Sequence, residues 1–416
     1  MSSKKKLNRF INADEIVVRQ RRMSMPFYVT VLIVMMTVQW MTVDMYLPAL
    51  PVLKAEFNAS EALLNMSLNS DLILCAIGTL IGGTLSDKYG RNPIMIIGLV
   101  IASIALFLGA VANGVVVLII TRGLTGLGGG LALTVSNAIV RDSFSGETFK
   151  KVTTLAQAAA IAGPIIAPAI GAFLIEYLSW RWIFIVLGVG TLLTLIPFLI
   201  ATETWPRERR VVSSVWQATK QALNLVKNIE YSTFVTYMVI ITIPVWAYLA
   251  VCSYVYYDEF GVSNIEYSLL YAAGSVSGFI GPIIYIKLAR LTTGRRTLEV
   301  IMGMNVLTLI LFFLIGVRGP VLFMFAVVPT IMAEAMTRSM GLVVVLEEYP
   351  KEAGAVSSVT GFAFLIVSII GTTLATLPWP TMVMGLVVTT AIVVVAMLIL
   401  WVIILKKKVY YKQLKG

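Results

Sequence analysis

The chain has 416 residues, 58% of them hydrophobic and 13% charged, with two cysteines, no histidine and a formal net charge of +11. That apolar share is far above the norm for soluble domains and calls for a protein that lives in a bilayer. Cys75 and Cys252 both fall inside apolar runs and histidine is absent, so a disulfide framework, a zinc site and a histidine proton relay lose their support. The basic excess sits in short loops and tails beside apolar runs, the pattern of membrane topology and not of nucleic-acid binding.

Residues 1–25 are polar and basic, with no small-residue cleavage site before the first apolar run, and read as a retained cytoplasmic tail. Within it, Phe10 to Val18 is either a short amphipathic helix at the headgroups or disordered. Twelve apolar runs of membrane-crossing length follow. They are Pro26 to Leu47, Met66 to Leu85, Ile94 to Ala112, Val115 to Val140, Val152 to Ile175, Trp182 to Ala201, Thr233 to Tyr254, Tyr267 to Leu288, Leu298 to Val317, Pro320 to Val345, Ala353 to Thr376 and Met382 to Leu405. The polar stretch Thr202 to Tyr231 divides them six and six. This gives a first bundle over 26–201, a central cytoplasmic loop over 202–231, a second bundle over 232–405 and a cytoplasmic tail over 406–416.

Between the second and third runs stands Gly83 to Pro93, GTLSDKYGRNP, a tight charged turn at one membrane face. Gly83 permits close helix approach, and Gly90 takes the positive backbone angle that ends a helix. Lys287 to Arg296, KLARLTTGRR, repeats it about half the chain later, the mark of an internal duplication. With the amino terminus in the cytoplasm, 27 of the 32 Lys and Arg residues lie on that face and three (Lys54, Arg181, Arg318) on the other, while Arg122 and Arg338 lie inside runs. Both termini are therefore expected inside.

Ionisable residues within spans mark function or tightly paired structure. Asp44 late in the first run, Asp71 early in the second and Arg122 early in the fourth all belong to the outer half, Asp44 roughly 5 Å and Arg122 roughly 10 Å below the surface at about 1.5 Å per residue. They are close enough in depth for a pair or triad. Asp44 then carries the proton, or forms a static pair with Arg122; Asp71 either joins them or faces outer water. Glu334 and Arg338, four apart in the tenth run, share one helix face as an ion pair. Met36, Gln39, Trp40 and Asp44 recur at helical spacing and offer apolar, aromatic and acidic groups to a cationic or amphiphilic ligand. Trp246 and Glu334 are second-bundle candidates for the same ligand, and Tyr254, Tyr256 and Tyr257 read as an interfacial belt. In the fifth run Gly163, Ala167 and Gly171 make a smooth face for helix contact, and Pro164 and Pro168 predict a kink.

On these residues the chain resembles the major facilitator superfamily. GTLSDKYGRNP is similar to that superfamily's loop between the second and third helices. Arg122 with Gly123, Gly126, Gly128, Gly129 and Gly130 resembles its fourth-helix motif, and Ala162 to Ala172, AGPIIAPAIGA, its fifth-helix antiporter motif. With DMYLPALP from Asp44, VRDSF from Val140 and WRWIF from Trp180, the likeness extends to drug:proton antiporters of the bicyclomycin and chloramphenicol resistance type. The resemblance implies an all-α integral membrane protein of twelve helices in two pseudo-symmetric six-helix bundles. It implies a monomer in the plasma membrane that exchanges small lipophilic or cationic drugs for protons by alternating access. Asp44 and Arg122 would be the proton and substrate pair, and Asp87, Lys88 and Arg91 a conformational latch, with Asp87 near the eleventh helix's amino terminus in the outward-open state. Gly163 and Pro164 would belong to the interface that seals against leak. Two positions depart from the pattern: Met36, where related members carry a carboxylate, and Asn92, where a basic residue is usual. No phosphate-binding loop or nucleophile constellation is present, so no enzymatic activity and no cofactor are expected, the proton gradient being the driving force. The alternatives are an exporter of one sugar, amino acid or siderophore, and a non-transporting membrane sensor.

Overall fold

The computed structural model describes residues 12–210, 224–348 and 353–407. Within them the regular structure is helical, apart from one isolated antiparallel bridge between Ile16 and Phe144. The first half holds α1 (Met25–Asp44), the short α2 (Leu50–Glu56), α3 (Glu61–Tyr89), α4 (Arg91–Ala110), α5 (Val115–Ser143), α6 (Gly146–Tyr177) and α7 (Arg181–Ile200). The second holds α8 (Ile229–Ile240), α9 (Thr242–Tyr254), α10 (Asn264–Leu291), α11 (Gly294–Ile315), α12 (Pro320–Glu348), α13 (Ala353–Ala375) and α14 (Met382–Lys407). The starts are set locally: Ser24 accepts from the Phe27 amide, with Pro26 in the first turn of α1, and Ser60 accepts from Leu63 at α3. Among the described residues ten stretches are long and apolar enough to cross a bilayer. The apolar segments Ile165–Tyr177 of α6 and Val359–Ala375 of α13 stand where the fifth and eleventh runs were expected.

The internal duplication is visible in the packing. In the first half α3 packs on α5, α4 on α5 and α7, and α1 on α6 and α7; in the second, α10 packs on α12, α11 on α12 and α14, and α9 on α13 and α14. Across the halves α3 meets α13 and α6 meets α10, again as symmetric counterparts. Burial is not symmetric along the membrane normal. At the tail end, which carries the Asp87 turn and residues 12–24, each half has its own apolar core, one around Met35, Leu99 and Ile139 and one around Phe234, Leu298 and Met340. At the far end a single core runs through both halves, from Met45, Leu53 and Leu68 to Tyr248, Phe312 and Phe323. Among the described residues the bundles therefore share one core at the far end and keep separate cores at the tail end.

Several expectations are corrected. The charged turn is shorter than the sequence implied, because α3 stays helical through Tyr89 and Gly90 alone, at φ +105°, separates it from α4. A Cβ on Gly83 would meet only Thr134 Cγ2 at 3.7 Å, an ordinary contact; the close approach belongs to Gly78, where it would sit 3.1 Å from the Leu131 nitrogen. Helix α6 is continuous through Pro168, and the Pro164 side chain lies outside the described set. An interruption that was not expected occurs in the seventh crossing, between α8 and α9 at Ile241. Pro244 there lacks the N–H that would reach the carbonyl of Ile240, so the ladder breaks just before it. The same crossing ends in a π-helical turn, Val255–Glu259. Tyr254 and Tyr256 are not belt residues: they are 1% and 0% exposed, inside the far-end core, where aromatic packing outweighs the pull of the headgroups.

At the tail end residues 12–20 strap the first bundle. Val17 donates to the Ser143 carbonyl, Ser145 donates to the Glu15 carbonyl, and Gln20 and Thr202 exchange hydrogen bonds. The Glu15 carboxylate accepts from the backbone N–H groups of Glu147 and Thr148, capping α6. Phe10 and Ile11, part of the stretch read as amphipathic or disordered, lie outside the described residues. Hydrogen bonding from Thr148, then from Glu147, holds Glu15 below its ordinary value of 4.5. A depressed carboxylate contributes above its unfolded pKa and is lost only as pH falls through the folded one. Amide protection at Glu147 and Thr148, read by hydrogen exchange, is expected to be flat from about pH 5 to 8 and to fall severalfold in Glu15→Ala.

Candidate functional site

At the far end α1 finishes on Asp44, 7% exposed, whose Oδ1 accepts a 2.6 Å hydrogen bond from the Tyr271 hydroxyl of α10. This bond joins the two bundles. Among the described residues no cation pairs with Asp44. Tyr271 stacks with Tyr248 and packs on Tyr267 in the shared core, so it reaches the carboxylate from a rigid aromatic wall.

Arg122 of α5 is fully buried. Its Nη1 donates to the Thr42 carbonyl at 2.8 Å, its Nη2 lies 3.4 Å from Asp71 Oδ1, and its guanidinium sits over the Tyr46 ring at 4.8 Å. The expected pair is thus rearranged: Arg122 is the ion partner of Asp71 on α3, and Asp44 stands apart with Tyr271. Asp71 is 4% exposed and does not face outer water. Two buried charges on neighbouring helices hold each other against the cost of desolvation, but Arg122 Nε and Nη2 and Asp71 Oδ1 have no well-aligned hydrogen bond among the described residues. This centre is electrostatically paired and incompletely bonded.

The other substrate candidates divide by face. Met36 is 4% exposed and belongs to the tail-end core of the first bundle, so it does not line a ligand site. Gln39 is turned into the bundle, donating to Thr191 of α7 at 3.4 Å. Trp40, half-buried one turn from Asp44, remains on the Asp44 stripe. In the second bundle Trp246 of α9 is half-buried, and no ring contact joins it to Trp40 among the described residues. On α12, Val327, Glu334 and Arg338 fall on one stripe at spacings of seven and four. Val327 is fully buried at the far end, while the side chains of Glu334 and Arg338 are 13% and 52% exposed. Val321, Leu322 and Phe325 mark the opposite, lipid-facing side. The Glu334–Arg338 pair, bonded at 2.6 and 3.0 Å, lies on the more exposed part of that stripe, away from the lipid-facing side.

The residues expected to form a latch are assembled at the tail end around Arg91, 1% exposed. It donates from Nη1 to Asp87 at 2.6 Å and to Ser86 at 2.7 Å, and from Nε to Asp142 of α5 at 2.8 Å, with Trp205 stacked 4.7 Å away. Glu203 caps α4 by accepting from the amides of Arg91 and Asn92, and Trp205 donates to the Asp87 carbonyl. Lys88 stays at the surface over the Tyr89 ring. Asn92, in place of a base, donates to the Ala201 carbonyl and ties α4 to the segment after α7. All of these partners lie in the first bundle or in the segment directly after it. Glu203, Trp205 and Tyr271 were missed from sequence: the first two lie in a polar loop without periodicity, and a tyrosine in an apolar run gives no sign of its partner.

The small-residue stripe of Gly163, Ala167 and Gly171 lies inside the first bundle. Gly163 faces Thr37 and Met41 of α1, and a Cβ on Gly171 would meet the Met45 carbonyl and, at 3.0 Å, Pro48 Cγ. Ala167 and Pro168 are buried beside them. That face packs α6 on α1 and leaves another face of α6 for α10.

A family profile described as Major Facilitator Superfamily matches residues 32–372. The MFS-type transporter YdgK of Bacillus subtilis (strain 168) is 28% identical over 78% of this chain and 82% of its own length. The bicyclomycin resistance protein homolog of Haemophilus influenzae is 24% identical over 82% of this chain and 86% of its own. The multidrug resistance protein MdtL of Vibrio parahaemolyticus is 31% identical over 40% of this chain and 42% of its own. Among solved structures, a peptide transporter POT superposes with TM-score 0.76 at 14% identity over 98% of this chain and 100% of its own. A D-xylose-proton symporter superposes with TM-score 0.69 at 18% identity over 90% of this chain and 97% of its own, a likeness of fold alone.

Proposed function

The chain belongs to the Major Facilitator Superfamily, and from that premise we propose that it is a secondary active exporter exchanging small lipophilic or cationic drugs for protons by alternating access. The observation that carries the reading is Asp44, a carboxylate buried in the seal between the bundles with a single phenol for partner and no paired cation among the described residues. A group in that position can take up a proton from one side and lose it to the other when the seal changes ends. Relatives named for bicyclomycin and multidrug resistance support drugs as the cargo.

The count of basic residues supports a tail end in the cytoplasm with both termini inside, and we take the membrane to be the plasma membrane. On that reading the fused far end is external and this arrangement corresponds to an inward-facing state, with Trp40 of the first bundle and Glu334 and Arg338 of the second as the candidate ligand groups. Asp87 is engaged by Arg91 in this state and is free to move to the α13 amino terminus when the tail end closes. A proton entering down about 100 mV and one pH unit supplies about 3.7 kcal/mol, enough to hold a neutral drug at roughly a 500-fold gradient. The protein acts as a monomer.

The test is proton release from acidified everted vesicles on adding drugs. Release by several chemically unrelated compounds is the expected outcome. Release by one compound alone would mark a narrow metabolite exporter, and silence across a broad panel would remove drugs as the cargo.

A further inference from the structure

We propose that the Tyr271–Asp44 hydrogen bond is the lock that keeps the empty, deprotonated carrier facing inward, and that Tyr271 is therefore the residue that makes proton entry obligatory on drug exit. The inference rests on the antiport reading above and adds to it the device that prevents slip.

Among the described residues, the other hydrogen bonds that cross the bundles at the far end each include a partly accessible group: Lys54 with Asp258, Asn264 with Glu176, and Thr372 and Thr373 with Asn69. Water reaches at least one partner of each. Tyr271 and Asp44 are 2% and 7% exposed, so their 2.6 Å bond is the buried one. Among the described residues the groups around Asp44 and its partner are these. Cys252 of α9 lies within electrostatic reach, Tyr248 and Tyr267 back the Tyr271 ring, and Arg122 behind α1 is committed to the Thr42 carbonyl and Asp71.

The chemistry of the bond makes it sensitive to the proton. A phenol donating to a carboxylate makes a charge-assisted bond; once the carboxyl is protonated the same pair keeps only a neutral one. The difference between the two classes is roughly tenfold or more in an equilibrium constant. Loss of the proton to the cytoplasm thus tightens the external seal, and the unloaded carrier is held inward. Return requires a drug that presents a cation or donor to Asp44 and displaces the Tyr271 hydroxyl. Outside, a proton replaces the drug, weakens the affinity of Asp44 for it, and the cycle closes without an empty return. An exchanger that lacks this lock carries protons inward with no drug aboard.

Two measurements test it. In proteoliposomes with an imposed pH gradient, Tyr271→Phe is expected to raise drug-free proton entry roughly tenfold over the native protein, and Tyr271→Phe combined with Asp44→Asn to return it to baseline. Leak that stays at the native level in Tyr271→Phe overturns the proposal, as does leak that survives in the double variant. In the otherwise native chain, spin labels at Leu63→Cys and Ile265→Cys, both exposed at the far end on opposite bundles, are expected to populate the short distance more at pH 8 than at pH 5. A distance distribution that does not change with pH overturns it as well, independently of how Tyr271→Phe folds. The two readings fail separately. Drug-dependent proton release with no Tyr271→Phe leak removes the lock and keeps the antiport, whereas pH-dependent closure with no drug-dependent release keeps the lock and removes the drugs.

Discussion

Asp44→Asn is expected to reduce drug-dependent proton release in everted vesicles to the level of vesicles without the protein, while the protein stays folded. The amide is isosteric and its oxygen still accepts from Tyr271, so the far end closes and stability changes by less than about 1.5 kcal/mol. What is lost is a group that can be ionised in one state and protonated in the other. Asp71→Asn separates the two carboxylates by its opposite profile. It leaves the fully buried Arg122 guanidinium without its 3.4 Å ion partner, and removing one member of a buried pair costs about 3–5 kcal/mol. The expected result is poor yield and a lowered melting temperature, with proton release per folded molecule retained. If Asp71→Asn were well folded and silent while Asp44→Asn still released protons, the carrier would be Asp71.

The contrast shows which part of the site was legible in the sequence. That Asp44, Asp71 and Arg122 lie at similar depth followed from run boundaries and a rise of about 1.5 Å per residue. Which of them pair did not follow, because depth says nothing about azimuth, and azimuth is set by how α1, α3 and α5 roll against one another. The twelve crossings and the duplication were readable because hydropathy and basic loops are local signals. The closure at the far end was not, since it arises from long-range contacts such as Tyr271 with Asp44 and Lys54 with Asp258. Met36 shows the same limit: spacing placed it on the Asp44 face, yet that position turns into the first bundle's own core. Pro244 was a readable helix breaker, passed over because two prolines in one run at Pro164 and Pro168 were more conspicuous.

Helix spacing at the Arg122 centre leads to the other large effect, at Gly126. It lies four residues after Arg122 on α5, so both project from one face toward α3. A Cβ at Gly126 would overlap the Asp71 carbonyl oxygen and sit 2.8 Å from its carbon, and one at Gly130 would lie 3.0 Å from the Thr79 nitrogen. Backbone on the receiving side has no rotamer with which to yield, so Gly126→Val must push α3 and α5 apart, beyond the 1–3 kcal/mol typical of overpacking, or about 3 kcal/mol and more. The same displacement carries Asp71 away from Arg122 and weakens the ion pair that the short helix separation makes possible. Gly126→Val is therefore expected to yield little monodisperse protein, and the fraction that folds is expected to melt at lower temperature. Gly83→Ala is the control within the same helix pair: its new methyl meets Thr134 at ordinary contact distance, and alanine favours the helix by about 1 kcal/mol over glycine, so yield and melting temperature should hold or rise. Normal yield and melting for Gly126→Val would mean that α3 and α5 do not approach as closely as the glycine face implies, and that the Asp71–Arg122 pair is held by something other than helix spacing.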